Sequence, residues 1–172
     1  MKRFTEAEIN SCTRRFLIEN GFNFLSTKNN GEKFYYRLNK SSPPLLKQPD
    51  CLAYKENVVI IWEEKVKFND LFKTQNGKVS DIDKLGNILN DIDLRYEFLI
   101  PIADVLKMPL ESIILLGGVN SLTQKETSSK IIPEIIIHLE TEIDGNSTKT
   151  RILKCPDSII QLIKFKESHN EL

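Results

Sequence analysis

Apolar and polar positions follow two different rhythms along this chain, and the changes between them outline its elements. Over residues 4–22, FTEAEINSCTRRFLIENGF, the apolar residues Phe4, Ile9, Cys12, Phe16 and Leu17 recur at near-helical spacing, and Gly21 stands where a helix ends. Short strand-like runs follow at 23–26 and 33–38, separated by the turn-rich TKNNGE, and NKSSPPLLKQ reads as a Pro/Ser loop. PDCLAYKENVVIIWEEK, residues 49–65, reads as a β-hairpin. Beyond it, SDIDKLGNILNDIDL sets Ile82, Leu85, Ile88, Leu89 and Ile92 on one helical stripe. Residues 96–106 read as a further helix that Pro101 should break or kink. ESIILLGGV and IPEIIIHLETEI are β-rich, and PDSIIQLIKF reads as a closing helix with Asp157 near its cap. The order is mixed α/β, without internal repeat or linker, and 172 residues predict a single domain, 1–172.

The hairpin carries polar residues where a packed sheet wants apolar ones. If Glu56-Asn57 is its two-residue turn, Lys55 faces Val58, Ala53 faces Ile60, and the ladder continues to Asp50 opposite Glu63. Strand alternation then puts Lys65 on the same face as Glu63, while Glu64 points the other way with Trp62 and Ile60. A three-residue turn would shift this register by one. Two directly opposed carboxylates repel, and a divalent cation between them reverses the sign of that interaction. Magnesium favours one or two protein carboxylates completed by water and phosphate oxygens. An ammonium beside them can hold a phosphate oxygen or an attacking water. The spacing alone thus describes a phosphodiester-hydrolysing geometry.

Composition narrows the picture by exclusion. With 24 basic and 24 acidic residues the formal net charge is zero, so any contact with a polyanion must come from a local patch. Cys12, Cys51 and Cys155 are odd in number and far apart, which argues against a disulfide framework or a structural zinc site and suits a reducing cytosol. No apolar run approaches a membrane span, and the start, MKRFTEAEINS, turns polar and acidic at once, unlike a signal peptide. A cytoplasmic protein is expected.

Pro49-Asp50 followed by Glu63-Glu64-Lys65 on the next strand resembles the signature of the PD-(D/E)xK nuclease superfamily, which includes restriction endonucleases, Holliday-junction resolvases and repair nucleases. The resemblance implies a restriction-endonuclease-like core: a helix, a three-stranded antiparallel meander, a helix and further strands in a mixed central sheet. It also implies roles. Asp50 and Glu63 would ligate the metal, the backbone carbonyl of Glu64 could be a further ligand, and Lys65 would orient the nucleophilic water. Family members often add an acid from the first helix; the candidates are Glu6, Glu8 and Glu19, with Glu8 preferred because it shares a face with Cys12 and Arg15. Thr5-Glu6-Ala7-Glu8 is equally a capping-box pattern, which would give Glu8 a purely structural task.

Other chemistry has little support. His138, within IIIHLE, reads as a half-buried strand residue and His169 as part of a polar tail. Gly117-Gly118 is a turn or bulge signal, since neither GxxxxGK nor GxGxxG is present. Pro156-Asp157 has no acidic-x-Lys on a following strand and reads as a helix start. Lys67, Lys73, Lys78 and Lys84 could contact phosphates, although scattered lysines more often form a solvated face. The expected function is a magnesium-dependent DNA endonuclease of restriction or recombination type, with manganese as a substitute ion, acting as a homodimer or with a partner subunit. The alternatives are a catalytically silent binding or assembly module, and a structure-specific or RNA-cutting enzyme on the same scaffold.

Overall fold

A computed structural model describes residues 3–27, 33–74, 79–124, 128–160 and 167–171. Lys78, most of TKNNGE and the second half of PDSIIQLIKF lie outside the described residues.

The first helix, α1 (Glu6–Glu19), opens on a capping box: the Thr5 hydroxyl accepts from the Glu8 N–H at 3.3 Å, and Glu8 Oε2 accepts from the Thr5 N–H at 2.7 Å. Gly21, at φ 80°, turns the chain into β1 (Asn23–Thr27). The stretch read as a plain loop contains β3 (Leu46–Lys47), which pairs with β2 (Tyr36–Arg37) in a separate two-stranded antiparallel ribbon. Then come β4 (Cys51–Lys55) and β5 (Val58–Glu64), a 3-10 turn over Phe68–Phe72, α2 (Asp81–Asn90) and α3 (Ile92–Leu106). The chain continues through β6 (Ile114–Leu122), β7 (Ile136–Asp144), β8 (Ser147–Lys154), α4 (Asp157–Ile160) and β9 (Ser168–Glu171). Pro101 sits on the exposed side of α3 and the helix runs on through it, because a carbonyl left without its donor there can be met by water.

The strands form one sheet in the order β1-β4-β5-β6-β7-β8-β9, antiparallel except for the parallel pairs β5-β6 and β6-β7. The protein is thus an α/β protein with a mixed, curled seven-stranded sheet, a half-barrel, and four helices among the described residues. Strand β5 is buried along its whole length because β4 and β6 flank it and helices cover both faces. On one face Leu52, Val59 and Ile61 pack with Ile82, Leu85 and Ile88 of α2 and Phe98 and Ile102 of α3. On the other, Ala53, Ile60 and Trp62 pack with Phe16 and Leu17 of α1 and Ile159 of α4. The alternation read from the hairpin is therefore the division between two cores.

The hairpin register is the one expected, Lys55 opposite Val58 through Cys51 opposite Trp62. Glu56 takes the left-handed conformation at φ 54° to close the turn, and Asn57 ties it down by donating to the Ser112 carbonyl at 2.7 Å.

Gly117 and Gly118 form no turn or bulge; they lie inside β6, with Gly118 paired to Trp62. A Cβ on Gly118 would stand 2.4 Å from Trp62 Cζ3, so the glycine makes room for the indole. Gly118→Ala should accordingly destabilise the fold by about 1–3 kcal/mol through overpacking. Gly86→Ala, within α2 and with nothing within 4 Å of the added carbon, should stabilise it, by up to about 1 kcal/mol. Urea unfolding midpoints check both, and a neutral Gly118→Ala would contradict the packing.

Candidate functional site

Glu63 and Glu64 end β5, and Lys65 follows with its N–H donating to the Asn120 carbonyl of β6 at 3.1 Å. Across the hairpin Asp50 lies one residue before β4, and its Oδ2 accepts from the Glu64 N–H at 3.0 Å. The Asp50 carboxylate therefore caps the open end of the β4-β5 pair. Its charge bears on Glu63, Tyr36, Lys47 and Lys65, and also on Cys51 in the core on the α1 side of the sheet.

Glu63 has 0 % exposure. A carboxylate so deeply buried needs partners on both oxygens. Tyr36 Oη donates to Oε1 at 2.5 Å, and Lys47 Nζ pairs with Oε2. These two residues face each other across the β2-β3 ribbon, so a single cross-strand pair clasps the carboxylate. Burial, and next the like charge of Asp50, push the Glu63 pKa up to about 8, while Lys47 opposes the shift. For Lys47 burial works against the ammonium, but the charges of Glu63 and Asp81 outweigh it and hold its pKa above the ordinary lysine value. Burial, then Glu63, holds the Tyr36 hydroxyl protonated well above its usual range.

Asp81 joins this pair to Lys65. It is the first residue of α2, 2 % exposed, with Ser80 as N-cap. Its Oδ1 accepts from Lys47 at 3.0 Å and Lys84 at 2.9 Å, and Oδ2 accepts no hydrogen bond but faces Lys65 Nζ at 3.7 Å. Lys65 also donates to Glu6 Oε1 at 3.3 Å. Against the effect of burial, Asp81, Glu6 and Asp50 raise its pKa, which keeps it an ammonium. The site is thus an alternation of carboxylates and ammoniums: Glu63, Lys47, Asp81, Lys65, Glu6.

Asp50, Glu63 and Lys65 are brought to the same end of the same two strands. Glu64 points to the α1 side, where its Oε2 accepts from Asn10 Nδ2 at 2.8 Å, and together with Asp50 and Glu6 it lines a cleft of about 350 Å³ between α1 and the strand ends. Glu8 is not placed with them. It closes the capping box and lines a separate cleft with Cys12, Arg15, Thr148 and His169, because the helix start claims its carboxylate locally. Glu19 pairs with Arg15 at 2.7 Å. Of the three acids considered on α1, Glu6 reaches Lys65. His138 packs on Phe68, ring centroids 5.3 Å apart, and burial holds its pKa down to about 4. His169 lies in β9 rather than in a tail.

Tyr36, Lys47 and Asp81 had no sequence signal, and Lys84 was only one of four candidate surface lysines. Asp81 in SDIDK looks like an ordinary first-turn acid, and Lys47 sits in a Pro-rich stretch whose pairing with β2 has no local pattern. Among the described residues no group of three or more His, Cys, Asp and Glu side chains converges as a metal-ligand set. No family model, no curated protein and no solved structure matches the chain.

The raised Glu63 pKa has a signature in folding. The folded chain holds this proton to higher pH than the unfolded chain, so stability falls as pH rises from the ordinary carboxylate range to about 8. His138 works in the opposite sense, but only between about 4 and its ordinary 6.5. Between pH 6.5 and 8, then, the metal-free protein should lose stability with rising pH, and Glu63→Gln should flatten that slope. Urea midpoints across this window check the sign; a wild-type curve that climbs would contradict it.

Proposed function

We propose that this chain is a metal-dependent nuclease of the PD-(D/E)xK type, with a restriction-endonuclease-like core, that hydrolyses phosphodiester bonds in DNA. The observation that carries the reading is the meeting of Asp50, Glu63 and Lys65 at one end of β4 and β5, with Asp50 close enough to raise the pKa of Glu63. The element order supports it: α1, then the antiparallel β1, β4 and β5 with the ribbon inserted, then helices and the further strand β6. That is the order the resemblance implies.

In this reading Asp50 and Glu63 hold a magnesium ion, which supplies Lewis-acid stabilisation of the charge developing on the phosphate. Lys65, kept charged by Asp81 and Glu6, orients the attacking water and offsets the charge of the hydroxide that forms. Asp81 acts one step back as a positioning residue, because its oxygens fix Lys65 and Lys84.

A specific observation favours a second reading. Both oxygens of Glu63 are engaged, by Tyr36 and by Lys47, and an arrangement this self-sufficient would serve a catalytically silent binding or assembly module. The two readings separate by experiment. Purified protein incubated with magnesium or manganese should cut duplex DNA in preference to single-stranded RNA or four-way junctions. Asp50→Asn and Lys65→Ala should each lower the rate at least about a hundredfold. Asp50→Asn also relieves repulsion with Glu63, so the metal-free fold should be unchanged or slightly more stable. Glu64→Gln should spare cleavage, since the ligand that the resemblance implies there is its backbone carbonyl. Activity retained in Asp50→Asn would sink the nuclease reading, and preferential cutting of RNA or junctions would redirect its substrate class.

A further inference from the structure

The β2-β3 ribbon places Tyr36 and Lys47, directly paired across it, on the two different oxygens of Glu63. The Lys47 ammonium is held from its other side by Asp81 Oδ1 at 3.0 Å, and Asp81 is in turn fixed by Lys84 at 2.9 Å. Lys47 is therefore anchored at Glu63 and is not a surface lysine in transient contact; its side chain is 22 % exposed. Its Nζ is a cation in contact with a lone pair that a metal ion at Glu63 would use. An ammonium and a divalent ion repel, and one carboxylate oxygen cannot serve both at contact distance.

We propose that Lys47 is a built-in competitor for the cation position at Glu63. It holds Oε2 in the metal-free protein and yields that oxygen when a divalent ion binds, so that Lys47 sets the metal affinity of the site. Asp81 gives the displaced ammonium somewhere to remain, since that pairing does not involve Glu63. The inference rests on the nuclease reading above, yet it concerns binding and can be tested without a substrate.

The test is manganese titration of the full chain by calorimetry, for wild type, Lys47→Met and Lys84→Met. Lys47→Met removes the competitor at nearly constant volume, and manganese should bind it about tenfold or more tightly than wild type, as expected for loss of one charge-assisted hydrogen bond. Lys84→Met removes the same charge from Asp81 without touching Glu63, and its affinity should stay within about threefold of wild type. A second measurement uses wild type alone and covers the case in which Lys47→Met does not fold. Acetylation of Lys47, followed by mass spectrometry, should be slow without metal and several-fold faster in saturating manganese, with Lys84 unchanged. The proposal is overturned if wild type binds manganese but Lys47→Met binds it no tighter, if Lys84→Met tightens equally, or if Lys47 labelling ignores the metal. If neither wild type nor Lys47→Met binds manganese, the nuclease reading itself fails and the inference falls with it.

Discussion

The carboxylate of Glu63, enclosed at the end of the central strand, imposes a condition that the surrounding elements meet. An isolated buried carboxylate is so unfavourable that it would take up a proton or expel the structure around it. Tyr36 and Lys47 answer for its oxygens, and this is why a ribbon of only two residues per strand lies over the sheet at that point. Lys47 in turn needs Asp81, which needs Lys84 and Lys65, so the start of α2 is tied to the end of β5 by charge as well as by the apolar stripe of Ile82, Leu85 and Ile88. Removing one member of such a buried pair leaves an uncompensated charge at a cost of about 3–5 kcal/mol, more than the pair itself contributes.

The parts of this arrangement that were legible in the sequence share a physical reason. Strand alternation has a period of two, so once Glu56-Asn57 is the turn, the faces of Ile60, Ile61, Trp62, Glu63 and Glu64 are all decided together. The Thr5 capping box and the α2 stripe of Ile82, Leu85 and Ile88 are likewise local patterns. Ile92, read as the last member of that stripe, opens α3 instead and is exposed, because Asp91 ends one helix and caps the next. What was missed depends on tertiary contact. Strand β8, STKTRILK, has too few apolar residues to declare itself and is held by pairing with β7 and β9. Lys47 and Tyr36 acquire their meaning only when Glu63 is beneath them. Glu8 was legible in both of its readings, and of the two the structure shows the capping box, a hydrogen bond within one helical turn. Gly117 and Gly118 looked like a turn because the indole of Trp62, which the missing Cβ accommodates, comes from a neighbouring strand.

The two cores have different duties. The α1 side is anchored by Trp62 and by hydrogen bonds from Asn120 to Thr13 at 3.0 Å and from Thr141 to Asn120 at 3.1 Å, which tie β6 to α1 and to β7. The α2 and α3 side carries Glu63, Lys47, Asp81 and Lys84. A rigid floor under Glu63 and Asp50 is what a site needs if only its ions and side chains are to move.

The central claim is that Asp50 and Glu63 together receive a divalent ion. Crystals soaked in manganese and measured at the manganese absorption edge would test it directly. The account predicts an anomalous peak within coordination distance of a carboxylate oxygen of each residue, with Lys47 Nζ withdrawn from Glu63. Crystals saturated with manganese that show no peak there, and Lys47 still paired to Glu63, would contradict it.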